Sequence, residues 1–217
     1  MNKRIKAFEK IYNEGFWGDG VNSPVSGWGS TLDFTANIRK ELPKLFKKYH
    51  ITSVLDAPCG DLTWMIEIIN TYPMQYIGAD IVSDLIKKLQ EQYANTSTHF
   101  IPLDICTDPL PNADVFLCRD CMFHLPPKDI IAVFQNFVDS NIPYILATTH
   151  TYETVIASGE KFGGNTTHAE PGEWWLLNLH APPYNLPPPI ENIQDCPGSP
   201  SQKDLSLWTK QQIIGIL

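Results

Sequence analysis

The chain has 217 residues, 43% of them hydrophobic, and a formal net charge of −8. That length and apolar content suit one sizeable domain with a true core and argue against disorder. The acidic balance lacks the basic face that nucleic-acid phosphates require, and no run of about twenty apolar residues is present to span a bilayer, so a small-molecule partner is expected. Lys44-Leu45-Phe46-Lys47-Lys48 concentrates basic residues, as the wet side of a helix would. Five scattered cysteines (Cys59, Cys106, Cys118, Cys121, Cys196) read as reduced thiols, and no apolar signal core follows the charged N-terminus. Both point to a cytoplasmic protein.

Ile5, Phe8, Ile11 and Tyr12 recur at helical spacing and predict a short amphipathic helix over residues 3–14. Residues 15–30 form a glycine-rich loop that carries two tryptophans, Trp17 and Trp28. These serve either as plugs against the core or as a flap over a bound ligand. Ser30 or Thr31 is the expected cap of the next helix, with Leu32, Ile38, Leu42, Leu45 and Tyr49 on its apolar stripe and a kink or a split at Pro43.

From Ile51 the pattern alternates strand and helix. Strands are expected at 52–56, 75–80, 99–103, 113–118 and 144–148, with helices between them. The intervening helices are placed at about 62–70, after a Ser83 cap, and after Pro126-Pro127, where the stripe is Ile130, Ile131, Phe134, Phe137 and Val138. The strands are continuous apolar runs, as expected when helices cover both faces of a parallel sheet. Residues 150–203 are rich in Gly, Pro, Asn and His and read as an insertion folded over the carboxyl ends of the strands. Leu205-Ser206-Leu207-Trp208 reads as a last, antiparallel strand. The expectation is one doubly wound α/β domain, with N-terminal helices and a loop in residues 1–50 and the main body in 51–217.

Ser53-Val54-Leu55-Asp56-Ala57-Pro58-Cys59-Gly60-Asp61 is a buried strand, an acid and a tight turn, followed by a helix. Open α/β sheets bind nucleotide-like ligands at such a place. Tyr76-Ile77-Gly78-Ala79-Asp80 ends a second strand in an acid, and Leu103-Asp104-Ile105 follows a third. These three runs resemble the cofactor motifs of class I S-adenosylmethionine-dependent methyltransferases. The phrases Gly29-Ser30-Thr31-Leu32, Cys118-Arg119-Asp120-Cys121 and Leu177-Asn178-Leu179-His180-Ala181-Pro182-Pro183 resemble a bacterial subgroup of that family.

The resemblance implies a Rossmann-like sheet of seven strands, mostly parallel, and S-adenosylmethionine as cofactor. Asp56 matches the acid that ends the first strand. Pro58 and Gly60 stand in the turn that approaches the methionine part, and the loop within residues 1–50 would cover the cofactor. Asp80, with Ile81 beside it, matches the acid that holds both ribose hydroxyls. Asp104 and Ile105 match the adenine pair, the acid accepting from the exocyclic amine. Arg119 falls in the loop that passes the methionine moiety. Pro58 and Leu62 stand where the family usually has glycines.

Methyl transfer requires the acceptor to be positioned and sometimes deprotonated. Asp120, His124 and His150, at the ends of the fourth and fifth strands, are the candidate bases. Glu173, Trp174 and His180 lie in the insertion, and the pair Trp174 and Trp175 serves either to line an apolar or sugar-like acceptor or to pack the lid. Cys118-x-x-Cys121 lacks a second pair, so no metal is expected. A nicotinamide dehydrogenase would want G-x-G-x-x-G after the first strand, where the chain has Ala57-Pro58-Cys59-Gly60-Asp61-Leu62. The other alternative is a nucleotide-binding module without chemistry. The reading adopted is methyl transfer to an oxygen or nitrogen of a small molecule.

Overall fold

The structure is a computed structural model that describes residues 2–150, 164–198 and 203–217. Seven strands form one sheet: β1 (Ser53–Asp56), β2 (Gln75–Asp80), β3 (Thr98–Pro102), β4 (Val115–Cys118), β5 (Tyr144–His150), β6 (Glu191–Asp195) and β7 (Lys203–Thr209). Their order is β3-β2-β1-β4-β5-β7-β6. β1 to β5 pair in parallel, and β7 runs antiparallel to both β5 and β6. The Rossmann-like sheet with an antiparallel last strand is thus the observed fold.

The order reverses at β1, which has β2 on one side and β4 on the other. The carboxyl ends of β1, β2 and β4 therefore open beside one crevice. Along β1, Val54 and Leu55 face opposite cores; so do Phe116 and Leu117 on β4, and Ile145 and Leu146 on β5. Burial on both faces is why these strands show no polar alternation.

The helices among the described residues are α1 (Lys3–Asn13), α2 (Ala36–Lys48), α3 (Met65–Ile69), α4 (Ser83–Tyr93), α5 (Pro127–Asp139) and α6 (Lys210–Ile214). One core joins α5, α6 and the segment from Trp175 to Leu186; the other joins α2, α3 and α4. No helix among the described residues is long and apolar enough to cross a membrane.

Several local expectations change. α2 starts at Ala36 with Thr35 at its cap, so Leu32 lies outside the helix and is 44% exposed. α2 runs through Pro43 without breaking, because the proline stands in a helix whose Ile38, Leu42, Leu45 and Phe46 are all buried. Ser83 begins α4 as its first residue; the amide of Val82 is taken by the carboxylate of Asp80 instead. On α5 the inward residue is Val133, and Ile131 faces out.

The region 150–203 contains an edge strand, β6, and its flanks pack against the sheet. Residues 151–163 and 199–202 of that expected insertion lie outside the described residues.

β7 closes the sheet through Trp208, fully buried opposite Ile145, with its indole N–H donating to Pro187 O at 2.8 Å. Trp208→Ala should remove about 3–5 kcal/mol of stability by opening a cavity where the indole is fully buried. Urea unfolding followed by circular dichroism measures this; a loss under about 1 kcal/mol would show that Trp208 does not hold the sheet closed.

Candidate functional site

Asp56 ends β1 at 2% exposure, and its carboxylate accepts a hydrogen bond from the Tyr76 hydroxyl at 2.7 Å. Cys59 N–H donates to Ala79 O at 2.8 Å, which fastens the following turn to β2. Gly60 has φ +56°, and a Cβ there would lie 2.9 Å from the Ser26 Cβ. The residue is glycine because the chain passes both through left-handed backbone and beneath the 15–30 loop. Leu62 also takes positive φ, +64°, although it carries a branched side chain. Its full burial in the core holds it there, so the turn needs no second glycine. Asp61 then ties the loop down, accepting from Ser26 N–H at 3.1 Å and Ser26 Oγ at 2.7 Å.

Asp80 lies across the turn. One carboxylate oxygen accepts from Gly60 N–H at 3.3 Å and the other from Val82 N–H at 3.0 Å. Each oxygen retains acceptor capacity, so the pair can receive a vicinal diol.

Asp104 is in a different state. It accepts from Asn2 Nδ2 at 2.6 Å, from Arg4 Nη2 at 2.8 Å and Nε at 3.1 Å, and from Cys106 N–H at 3.1 Å. Arg4 Nη1 also reaches Asp129 at 3.0 Å.

Beyond β4, Arg119 is buried. Its Nε donates to Asp195 of β6 at 2.9 Å, its Nη2 donates to Gly29 O at 2.8 Å, and it lies 5.3 Å from the centre of the Trp64 ring. Asp120, at φ +51°, is ion-paired with Lys203 Nζ and lies 3.5 Å from Arg119. These two cations hold its carboxyl down at about 2 despite burial.

His124 sits between the rings of Trp17 (centroids 4.7 Å apart) and Phe123 (4.6 Å). Its Nδ1 lies 3.2 Å from Glu173 O. A carbonyl only accepts, so Nδ1 carries the proton and Nε2 keeps its lone pair. Burial lowers the imidazole to about 4. The tautomer is set from the insertion, where Gly172 N–H donates to His124 O and Trp175 N–H to Phe123 O.

His150 is one ring further out, with Phe123 at 5.2 Å and Trp174 at 5.9 Å. Its Nδ1 lies 3.2 Å from Leu177 N and 3.3 Å from Leu177 O. Burial lowers this imidazole also to about 4.

The acids, the turn and the N-terminal segment surround a cleft with an empty volume of about 830 Å³, open mouth included. Asp56, Pro58, Gly60, Asp80, Ile81, Asp104, Ile105 and Arg119 all line it, as do Asp120 and His124. His150 is not among its lining residues. His180 contacts Leu186 O at 3.1 Å and the Trp208 ring, away from the cleft. Trp174 is 51% exposed, whereas Trp175 is buried with its indole on Leu125 O at 3.1 Å. Trp17 lines the cleft, and Trp28 is 72% exposed. Among the described residues no cluster of three or more His, Cys, Asp or Glu is placed to hold a metal ion.

Sequence reasoning missed Arg4, Asp195 and Lys203. Arg4 had a readable signal: with Phe8 and Tyr12 it forms an i, i+4, i+8 stripe, and all three line the cleft.

Residues 54–140 match the family model described as a methyltransferase domain. No curated protein matches the chain significantly. Among solved structures, magnesium protoporphyrin IX methyltransferase from Synechocystis PCC 6803 with bound SAM aligns at TM-score 0.60 and 12% identity, covering 97% of this chain and 98% of that one. The N-methyltransferase NodS from Bradyrhizobium japonicum WM9 aligns at TM-score 0.56 and 12% identity, covering 81% and 96%. Human N-acetylserotonin methyltransferase in complex with SAM aligns at 0.53 and 14%, covering 95% and 66%. At these identities the likeness is one of fold.

The cleft acids carry a pH dependence. Burial raises Asp56 to about 7, against the Tyr76 hydrogen bond and Arg119, which lower it. A folded pKa above the unfolded value contributes stability below about pH 4 that is lost as pH rises through 7. His124 and His150 act in the opposite sense, since their lowered values give stability above 6.5 that is lost toward pH 4. Asp56→Asn keeps an acceptor for Tyr76 and removes only the acid's share. The stability difference between variant and wild type, without ligand, should move in the variant's favour by about 2–3 kcal/mol from pH 5 to pH 8. Urea unfolding at both pH values measures it; a constant difference would show that Asp56 does not titrate in this range.

Proposed function

We propose that this chain is a class I, S-adenosylmethionine-dependent methyltransferase and that it passes the methyl group to an oxygen or nitrogen of a small molecule held in the same cleft, with His124 taking the proton. The observation that carries the reading is the convergence of Asp56, Asp80, Asp104 and the Gly60 turn on one cleft at the switch point of a parallel sheet.

The residues present fit the cofactor. Asp80 has an acceptor on each oxygen for the two ribose hydroxyls. Gly60 leaves room for close backbone approach, and Ile81 and Ile105 give apolar walls for a planar base. When bound, the cofactor supplies an electrophilic methyl on a sulfonium, and methyl loss leaves a neutral thioether. The chain's task is then to orient and to accept a proton. Asp56 and Asp80 face the cleft as acids, which suits a cationic ligand. Arg119, fixed by Asp195 and Gly29 O, orders the loop beside the methionine part.

His124 is the base because its Nε2 lone pair is free of the Glu173 contact and its ring is neutral near pH 7. Asp120, kept ionised by Lys203 and Arg119, favours the imidazolium that proton uptake creates. The net charge of −8 favours a small acceptor over nucleic acid, and the free cysteines favour a cytoplasmic setting.

Two variants test the assignment. Asp80→Ala should weaken S-adenosylhomocysteine binding on the order of 100-fold by calorimetry, through loss of two charge-assisted hydrogen bonds. His124→Gln should bind it within a few-fold of wild type but lose about 10²–10⁴ in kcat for radiolabelled methyl transfer, assayed over a panel of hydroxyl and amine acceptors. Unchanged binding in Asp80→Ala would sink the cofactor assignment, and full turnover in His124→Gln would move the base elsewhere.

A further inference from the structure

We infer that α1 is a lid over the adenine end of the cleft, and that Arg4 competes with the cofactor's adenine amine for the Asp104 carboxylate. The inference rests on the cofactor reading above and adds a gating step to it.

A carboxylate offers about four acceptor sites. At Asp104 they are filled by Asn2 Nδ2, Arg4 Nη2, Arg4 Nε and Cys106 N–H, all within 3.2 Å. The Cys106 amide belongs to the loop itself and stays. The other three donors belong to the N-terminal segment. An exocyclic amine can reach Asp104 only when Asn2 and Arg4 let go.

The rest of α1 is lightly held. None of its residues is fully buried, and Phe8 rests on one core only as a half-buried side chain. Its inner stripe of Arg4, Phe8 and Tyr12 lines the cleft. Phe8 and Tyr12 rest on Trp17, which belongs to the loop over the same cleft, at 6.0 and 6.1 Å between ring centres. The strong attachment is at the helix start, where Arg4 bridges Asp104 and Asp129 with side chains only 7–13% exposed. A forked guanidinium between two acids is the geometry that arginine makes and lysine does not. Asp129 stays available to Arg4 when Asp104 is released, so the helix is tethered at its start.

Stopped-flow tryptophan fluorescence, with Trp17 under the lid as reporter, follows S-adenosylhomocysteine binding to wild type, Arg4→Ala and Arg4→Lys. Arg4→Ala should raise the association rate constant at least fivefold and tighten Kd at least threefold. Arg4→Lys should move both in the same direction by less. An unchanged association rate overturns the lid, and a weaker Kd overturns the competition, since Arg4 would then support the cofactor. If Arg4→Ala fails to fold, as judged by thermal melting, Arg4→Lys decides by the same criteria. Absence of binding by the wild-type chain would instead overturn the cofactor reading beneath, and the two failures are distinct.

Discussion

The cleft depends on how a single buried cation is paired. Arg119 leaves the end of β4, passes over the Trp64 ring and reaches Asp195 on β6, two strands beyond its own neighbour β5. Such a pair gains little net stability, because removing both charges from water costs about as much as their attraction returns. Its value is positional. Arg119 also donates to Gly29 O, and Gly29 packs so closely on Asp120 that a Cβ would lie 2.8 Å from its carboxylate. Lys203 reaches Asp120 from the start of β7. Two cations and two acids thus lock β4, β6, β7 and the loop after α1 into one arrangement, and the cleft wall follows from it.

Within that frame, burial weakens charge on both sides of the site. Asp56 and Asp80 are raised to about 7 and about 6, while His124 and His150 are lowered to about 4. Near neutrality the histidines are uncharged and the acids lie close to their titration range. A cationic ligand would draw the acids to their ionised form, so ligand charge and site charge are linked. Asp120 is the exception, kept ionised by its two cations. The site therefore separates a charged carboxylate from a neutral imidazole by environment, which is how one fold prepares different protonation states side by side.

Much of the frame was legible in the sequence because it is local. Continuous apolar runs ending in Asp56, Asp80 and near Asp104 mark parallel strands and their carboxyl ends, and the spacing of Ile5, Phe8, Ile11 and Tyr12 marks α1. β6 was not legible: in Glu191-Asn192-Ile193-Gln194-Asp195 only Ile193 is apolar, as suits an edge strand following a proline-rich stretch. Nor could Asp195 be read as a partner of Arg119, 76 residues away, or Arg4 as a partner of Asp104, 100 residues away. Ion pairs between distant elements leave no periodic trace. Leu62 shows the same limit for backbone: its left-handed conformation is imposed by burial and is invisible in a residue type that normally avoids it.

The chemistry of the site rests on the identity of the ligand that this crevice takes. Calorimetric titration of the wild-type chain with S-adenosylhomocysteine, and in parallel with NAD, identifies it. Saturable, roughly micromolar binding of the first at one site per chain, near −8 kcal/mol, and none of the second is the expected result. Binding of NAD without binding of S-adenosylhomocysteine would overturn the cofactor assignment.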